Sequence, residues 1–250
     1  MTPRILNNET HLQRENQILD CALQFIEQHS IAQLTIDKLV KELPFSKGTV
    51  YNHFSGKEDL LLALCNRSMR VISDLFNRAI SWDGTPRQLG LSIHFAYMLH
   101  AKLRPTQFML VLTTKSSSIT EKASVECLNE HIALEGKLIA PVIKVFQQAF
   151  ERNEINPPMN LGYEQLAFSC WSMSFGINAL LLQDVDQCSA RSGLIVEQEL
   201  INNVNILFDG LQLQPLTRDF DWQNTVQHLK EHVFKKEVLL LAERGQPLRI

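Results

Sequence analysis

The chain has 250 residues, 45% of them apolar and 20% charged, the balance of a globular protein rather than a disordered or fibrous one. A formal net charge of −3, with nine Lys and Arg against nine Asp and Glu through residue 80, gives no overall basic footprint, so any grip on nucleic acid must come from a local patch. No stretch reaches the roughly 18 uninterrupted apolar residues of a membrane span, the N-terminus lacks a signal-peptide core, and five scattered cysteines without a C-x-x-C pair read as reduced thiols; the expectation is a cytoplasmic protein that engages no membrane.

Gly and Pro are sparse and period-two runs of Val, Ile and Thr are hard to find, which predicts an all-α fold. Ile18, Leu19, Ala22, Phe25 and Ile26 recur at helical spacing and predict a first helix over about 12–28, ending near His29 and Ser30. Thr35 has the side chain to cap a short helix, IDKLVKEL, with Ile36, Leu39, Val40 and Leu43 pointing inward and Pro44 ending it. After Phe45, which should plug the gap between helices, Ser46 can cap a third helix through KGTVYNHF. Two short helices joined by a tight turn form a helix-turn-helix. Ser55 and Gly56 interrupt the chain, and Lys57 opens a long fourth helix to about Ala79.

Beyond a turn from Trp82 to Pro86, helices are expected at about 87–103, 105–115, 119–152, 161–184, 191–209 and 222–244. Pro141 should kink or split the longest of these, because it removes a backbone donor and crowds the preceding turn. Cys21, Cys65, Cys127, Cys170 and Cys188 each fall in an apolar helical pattern and read as small buried hydrophobes. The domain reading is a helix-turn-helix DNA-binding domain over 1–56, a connecting helix over 57–80, and a larger helical domain over 81–250 with an extra helix from about 222.

The informative segment runs from Leu34 to Leu61. A helix entering the major groove needs small or extended polar side chains on its exposed first turn, and Ser46, Lys47, Gly48 and Thr49 supply them. Lys47 can donate to guanine O6 and N7, Gly48 lets the backbone come close, and Thr49 offers a methyl for thymine or a hydroxyl for phosphate. One turn on, Tyr51, Asn52 and His53 carry donors for phosphate oxygens. Lys57 and Thr35 open their helices beside free backbone amides, a seat for phosphate, with Lys38 flanking the same strand.

The run SKGTVYNHFSGKEDLL resembles the signature of the tetracycline-repressor (TetR) family of bacterial regulators. The chain departs from that pattern at Pro44 and Ser30, where the family commonly has Gly, so a reshaped turn is expected. The resemblance implies an N-terminal three-helix DNA-binding domain and a larger C-terminal helical domain for ligand binding and dimerisation. It further implies a homodimer on a double-stranded palindromic operator, with Leu166, Cys170, Met173, Ile177 and Ile206 as interface candidates on the last helices of a four-helix bundle. The small-molecule pocket it implies draws on His94, Tyr97, Met98, His100, Phe108, Met109, Trp171 and Asn178, and their apolar tilt suits a hydrophobic or aromatic effector.

Two other classes compete with this reading. One is a constitutive architectural or cell-cycle factor that uses the same DNA-reading helices under the control of a protein partner; lack of a sizeable cavity would favour it. The other is an enzyme, for which there is no G-x-S-x-G, no H-E-x-x-H, no phosphate-binding Gly loop and no paired carboxylates at a credible spacing. His228 and His232 stand four apart with Glu231 between them but lack a third ligand, so neither a metal nor a cofactor is expected.

Overall fold

The computed structural model describes residues 3–182 and 188–250. All regular structure among them is helical: α1 (Pro3–His29), α2 (Ile36–Lys41), α3 (Lys47–Tyr51), α4 (Lys57–Ala79), α5 (Pro86–Leu103), α6 (Pro105–Thr114), α7 (Ser117–Thr120), α8 (Val125–Glu151), α9 (Tyr163–Leu181), α10 (Val196–Gly210), α11 (Trp222–His228) and α12 (Lys235–Glu243). No helix among the described residues is long and apolar enough to cross a membrane. The chain divides into two compact units, Met1–Met69 with Thr106–Leu134, and Arg70–Pro105 with Glu135–Ile250. The sequence does not signal that 106–134 group with the N-terminal helices, because membership of a core is decided by partners distant along the chain.

The first unit is a helix-turn-helix built on one apolar cluster. Ile18, Leu19 and Ala22 of α1, Ile36 and Leu39 of α2, Val50 of α3, Phe54, and Leu60, Leu61 and Leu64 of α4 are all buried, joined by Leu110 of α6 and Ile119 of α7. Phe45 packs half-buried against this cluster between α2 and α3. The buried Asp59 carboxylate accepts from Ser55 N–H at 2.9 Å and from Ser124 N–H and hydroxyl at 3.0 and 2.8 Å, fastening the start of α4 to the start of α8. Asn66 donates to the Cys127 carbonyl at 3.0 Å, and its side-chain oxygen meets His131 Nδ1 at 2.8 Å.

Ser30, one of the departures from glycine, has φ 110° and ψ 158°. That region is open almost solely to glycine and costs a side chain on the order of 1–3 kcal/mol. The other departure is relaxed: the turn holding Pro44 contains no residue with positive φ, so proline fits a bend that needs no left-handed residue.

The second unit is organised around α5, a helix buried almost throughout its length. Thr85 and Gln88 form a reciprocal capping box at its start, Gln88 N–H donating to Thr85 Oγ1 at 3.3 Å and Thr85 N–H to Gln88 Oε1 at 2.9 Å, with Pro86 in the first turn. Arg87, fully enclosed, donates to the Leu213 carbonyl at 2.7 Å, to Asn205 Oδ1 at 3.0 Å and to Thr217 Oγ1 at 2.7 Å, and pairs with Asp209 at 2.8 Å. Its guanidinium lies over the rings of Phe208 and Phe220. α5 is thereby tied to α10 and to the segment after it, while Lys102 meets the buried Glu197 at 2.7 Å near the other end.

Several expected boundaries differ. α1 begins well before residue 12, because the polar stretch ahead of it contains no breaker and no apolar period to mark its limit. Pro141 does not split its helix; α8 runs through it, held by the buried Val145, Phe146 and Ala149, and the break falls at 121–124, where Ser124 is drawn to Asp59. The helix expected at 191–209 starts at Val196, so Cys188 precedes turns rather than sitting in a helix. Residues 183 and 184 of the helix expected at 161–184 lie outside the described residues. The C-terminal helix is interrupted by a π-helical turn over Leu229–Val233, where Phe234 N–H donates to the Leu229 carbonyl at 2.8 Å. The wider turn lets both Leu229 and Phe234 be fully buried.

Two substitutions test these anchors. Ser30→Gly should stabilise the first unit by about 1 kcal/mol, read as a higher urea midpoint, by relieving the left-handed strain. Arg87→Ala should cost about 3 kcal/mol or more, since it strands buried acceptors in place of a paired network.

Candidate nucleic-acid interface

The third helix is a five-residue element whose geometry is set from both ends. Ser46 is extended at φ −70° and ψ 158°, and its Oγ accepts from Thr49 N–H at 3.2 Å while lying 3.0 Å from Thr49 Oγ1. Val50 and Phe54 are buried behind it. What remains outward is the polar tip: Ser46, Lys47 and Gly48 are exposed and Thr49 is half-buried. Thr35 repeats the device on α2, accepting from Lys38 N–H at 3.2 Å, and both residues are exposed. Tyr51 and Asn52 are exposed at the far end of α3, and His53 is half-buried there. All ten residues expected at a DNA surface therefore belong to one compact unit.

Two of them have partners that the sequence did not announce. Lys47 Nζ lies 2.5 Å from Asp37 Oδ1, with both side chains mostly exposed, and 5.9 Å from the centre of the Tyr51 ring. The Asp37 hydrogen bond, ahead of its charge, raises the Lys47 pKa, so the ammonium stays charged. Asp37 belongs to the first turn of α2, where an acid suits the helix dipole, and its relation to Lys47 appears only in three dimensions. Lys57 is half-buried and donates to the Ile31 carbonyl at 2.8 Å, so its first task is to close the 3₁₀ turn between α1 and α2.

Gly48 is informative in a different way. A Cβ there would meet nothing nearer than Ser46 Oγ at 3.8 Å, and its φ is not in the left-handed range. Nothing inside the fold requires glycine, and the helix would be better served by alanine.

In the second unit a small cavity of about 50 Å³ is lined by side chains of α4, α5, α8, α9 and α10, among them Phe76, His94, Tyr97, Phe146, Trp171 and Phe208. His94, Tyr97 and Trp171 of the expected pocket set are thus brought together. Met98, His100 and Asn178 are buried but do not line it, and Phe108 and Met109 lie on α6 in the first unit. Periodicity told which residues were apolar but not which flank of α5 faces the void. His94 Nδ1 is hydrogen-bonded to the Ser174 hydroxyl, and Trp171 Nε1 donates to Tyr97 Oη at 3.2 Å. Burial lowers the His94 pKa to about 4 and, with Arg104 adding to it, the His100 pKa to about 3.

The faces of α9 and α10 also sort differently from expectation. Leu166 and Cys170 point into their own unit, Met173 and Ile177 are half-buried, and only Ile206 of the five interface candidates is well exposed, at 69%. The well-exposed apolar side chains of α9 are instead Phe168 and Leu180, and the rings of Phe168, Trp171 and Phe175 are in sequential contact. An all-round apolar helix leaves the phase of its outward face unreadable. The pair His228 and His232 lies with ring centres 5.0 Å apart, His228 against Trp82, and among the described residues no third side chain completes a metal-holding group with both.

Comparison with known proteins follows from this geometry. Residues 18–64 match the model of a family described as bacterial regulatory proteins, tetR family. The chain is 28% identical over 85 residues to the fatty acid metabolism regulator protein of Bacillus subtilis, a match covering 33% of this chain and 44% of that protein. It therefore spans less than half the length of that relative. The fold is similar to that of the transcriptional regulator FadR from Bacillus subtilis in complex with stearoyl-CoA, with TM-score 0.61 and 14% identity over 78% of this chain and 97% of that one. It is also similar to AibR in complex with isovaleryl coenzyme A and operator DNA, with TM-score 0.59 and 19% identity over 78% and 98%.

Acidification should weaken the second unit. The unfolded imidazoles protonate near 6.5, whereas the buried ones do so near 4 and 3, so between those values the unfolded state holds more protons and stability falls as pH drops. Thermal midpoints measured between neutral pH and 4 should decline, and His94→Gln should flatten part of that decline.

Proposed function

We propose that the chain, whose residues 18–64 match the tetR family of bacterial regulatory proteins, is a DNA-binding transcription regulator that reads a palindromic operator as a homodimer and lets go when a hydrophobic small molecule enters the second unit. The observation that carries the DNA-reading part is the tip of α3. It is capped by Ser46, exposed, charged at Lys47, and left bare at Gly48 although the fold has room for a methyl group. Lys47 and Thr49 address base edges, while Thr35, Lys38, Ser46, Tyr51, Asn52 and His53 address the sugar-phosphate strands. Lys57 supports the surface by holding the 3₁₀ turn, and two of its ammonium protons remain for a phosphate.

A single reading module buries only about 600–1,000 Å² on DNA, too little for tight operator binding, and a two-fold dimer presents two modules at the roughly 34–36 Å repeat of the major groove. The outward stripe of Phe168, Leu180 and Ile206 on α9 and α10 supplies the apolar face for such a pairing. On the effector side, the cavity wall includes Phe76 near the end of α4, the helix that begins at Lys57. A ligand that displaces Phe76 therefore acts on the helix that carries a DNA-unit anchor. The cavity is far below the about 300–1,000 Å³ of sites for drug-sized ligands, so binding requires the lining side chains to open. An acyl chain suits the apolar wall, and the His94–Ser174 pair offers a polar handle.

That small volume also supports a second reading, in which the same DNA-reading heads answer to a protein partner and no effector enters. Titration of the operator complex with stearoyl-CoA and isovaleryl-CoA separates the two: release with a change in Trp171 fluorescence is expected for an effector, and unchanged binding across acyl thioesters points to the partner.

Gly48→Ala should fold at least as well as the parent yet lose operator affinity by about tenfold or more, a separation that a merely structural glycine would not show. Asp37→Asn, which frees Lys47, should tighten operator binding at low salt, measured by fluorescence anisotropy. Sedimentation should give twice the 28.6 kDa chain mass, and Ile206→Glu should return it to one.

A further inference from the structure

We propose that His11, Glu15 and His53 form a binding site for a zinc-class divalent cation that fastens the first helix to the end of the DNA-reading helix. His11 and Glu15 are one turn apart on the same face of α1, and His53 directly follows α3. The two imidazole rings lie with centres 4.0 Å apart. One donor atom from each of the three side chains falls within 4.8 Å of the others, and among the described residues this is the one such group of three.

A second observation points the same way. His53 Nδ1 is enclosed yet has no hydrogen-bond partner, an uncommon state for a buried polar atom. An imidazole nitrogen without a hydrogen-bond partner offers its lone pair to a metal. Glu15 supplies negative charge against the cation.

The donor set selects the class of ion. Two imidazoles and one carboxylate suit zinc, nickel or copper, whereas calcium and magnesium prefer oxygen ligands throughout. Three protein ligands leave a fourth, open position for water. Zinc with bonds of about 2.0–2.1 Å needs its donors roughly 3.3 Å apart, a closure that side-chain rotation of the exposed His11 and half-buried Glu15 can provide. With one His53 nitrogen on the metal, the other is fixed as an N–H donor.

The test uses the full chain stripped with a chelator, titrated with Zn(II) by calorimetry and with Co(II) by visible absorption near neutral pH. One equivalent should bind and raise the thermal midpoint. His11→Ala, whose side chain is exposed and so should leave the fold intact, and His53→Ala should each weaken binding by about tenfold or more and abolish the midpoint shift. His228→Ala should bind as the parent does. The proposal is overturned if no stoichiometric binding occurs, if His11→Ala binds as tightly as the parent, or if His228→Ala is the variant that loses the metal.

Discussion

A helix of five residues has almost no stability of its own, because the cost of nucleating a turn is spread over too few hydrogen bonds. The third helix therefore exists only because it is held from behind. Val50 and Phe54 are sunk in the apolar cluster of the first unit, and Ser46 turns the entering chain into a cap. The exposed polar tip rests on that buried support. The polar tip is free to be polar, and Gly48 free to be bare, since neither has to contribute to holding the helix in place.

The same division of labour runs through the surrounding contacts. Lys57 spends one proton on the Ile31 carbonyl, and Asp59, two residues later, spends its carboxylate on Ser55 and Ser124. The start of α4 is thus a junction of short polar bonds rather than a loose surface end. In the second unit Arg87 plays the corresponding part, joining α5 to α10 and the residues beyond through one planar cation with several acceptors. Phe208, over which the Arg87 guanidinium lies, also lines the cavity beside α5.

What was legible in the sequence was local. The caps at Thr35 and Ser46 could be read because a capping side chain and the amide it serves are three residues apart, and the apolar stripes of α1, α2 and α4 because their period is that of the helix itself. The all-helical class followed from the same signals. What escaped was relational. Lys47 with Asp37, Lys57 with Ile31, and the π-helical turn that buries Leu229 with Phe234 all depend on where separate segments come to lie. Residues of the cavity were half found for that reason: His94, Tyr97 and Trp171 lie on the flank of their helices that faces the void, and Met98 and Asn178, equally apolar or equally buried, lie on another. Pro141 misled in the opposite direction, its local penalty outweighed by the packing of α8 on either side.

The glycine at position 90 sits directly beneath the Phe208 ring, so that a Cβ there would come within 2.7 Å of the ring edge. Phe208 is seated against bare backbone and forms part of the cavity wall. An exchange for a smaller residue at 208 enlarges the chamber while the residues of the DNA-reading unit keep their identities. Under the effector reading proposed above, a change at this one position alters which guests the chamber can admit.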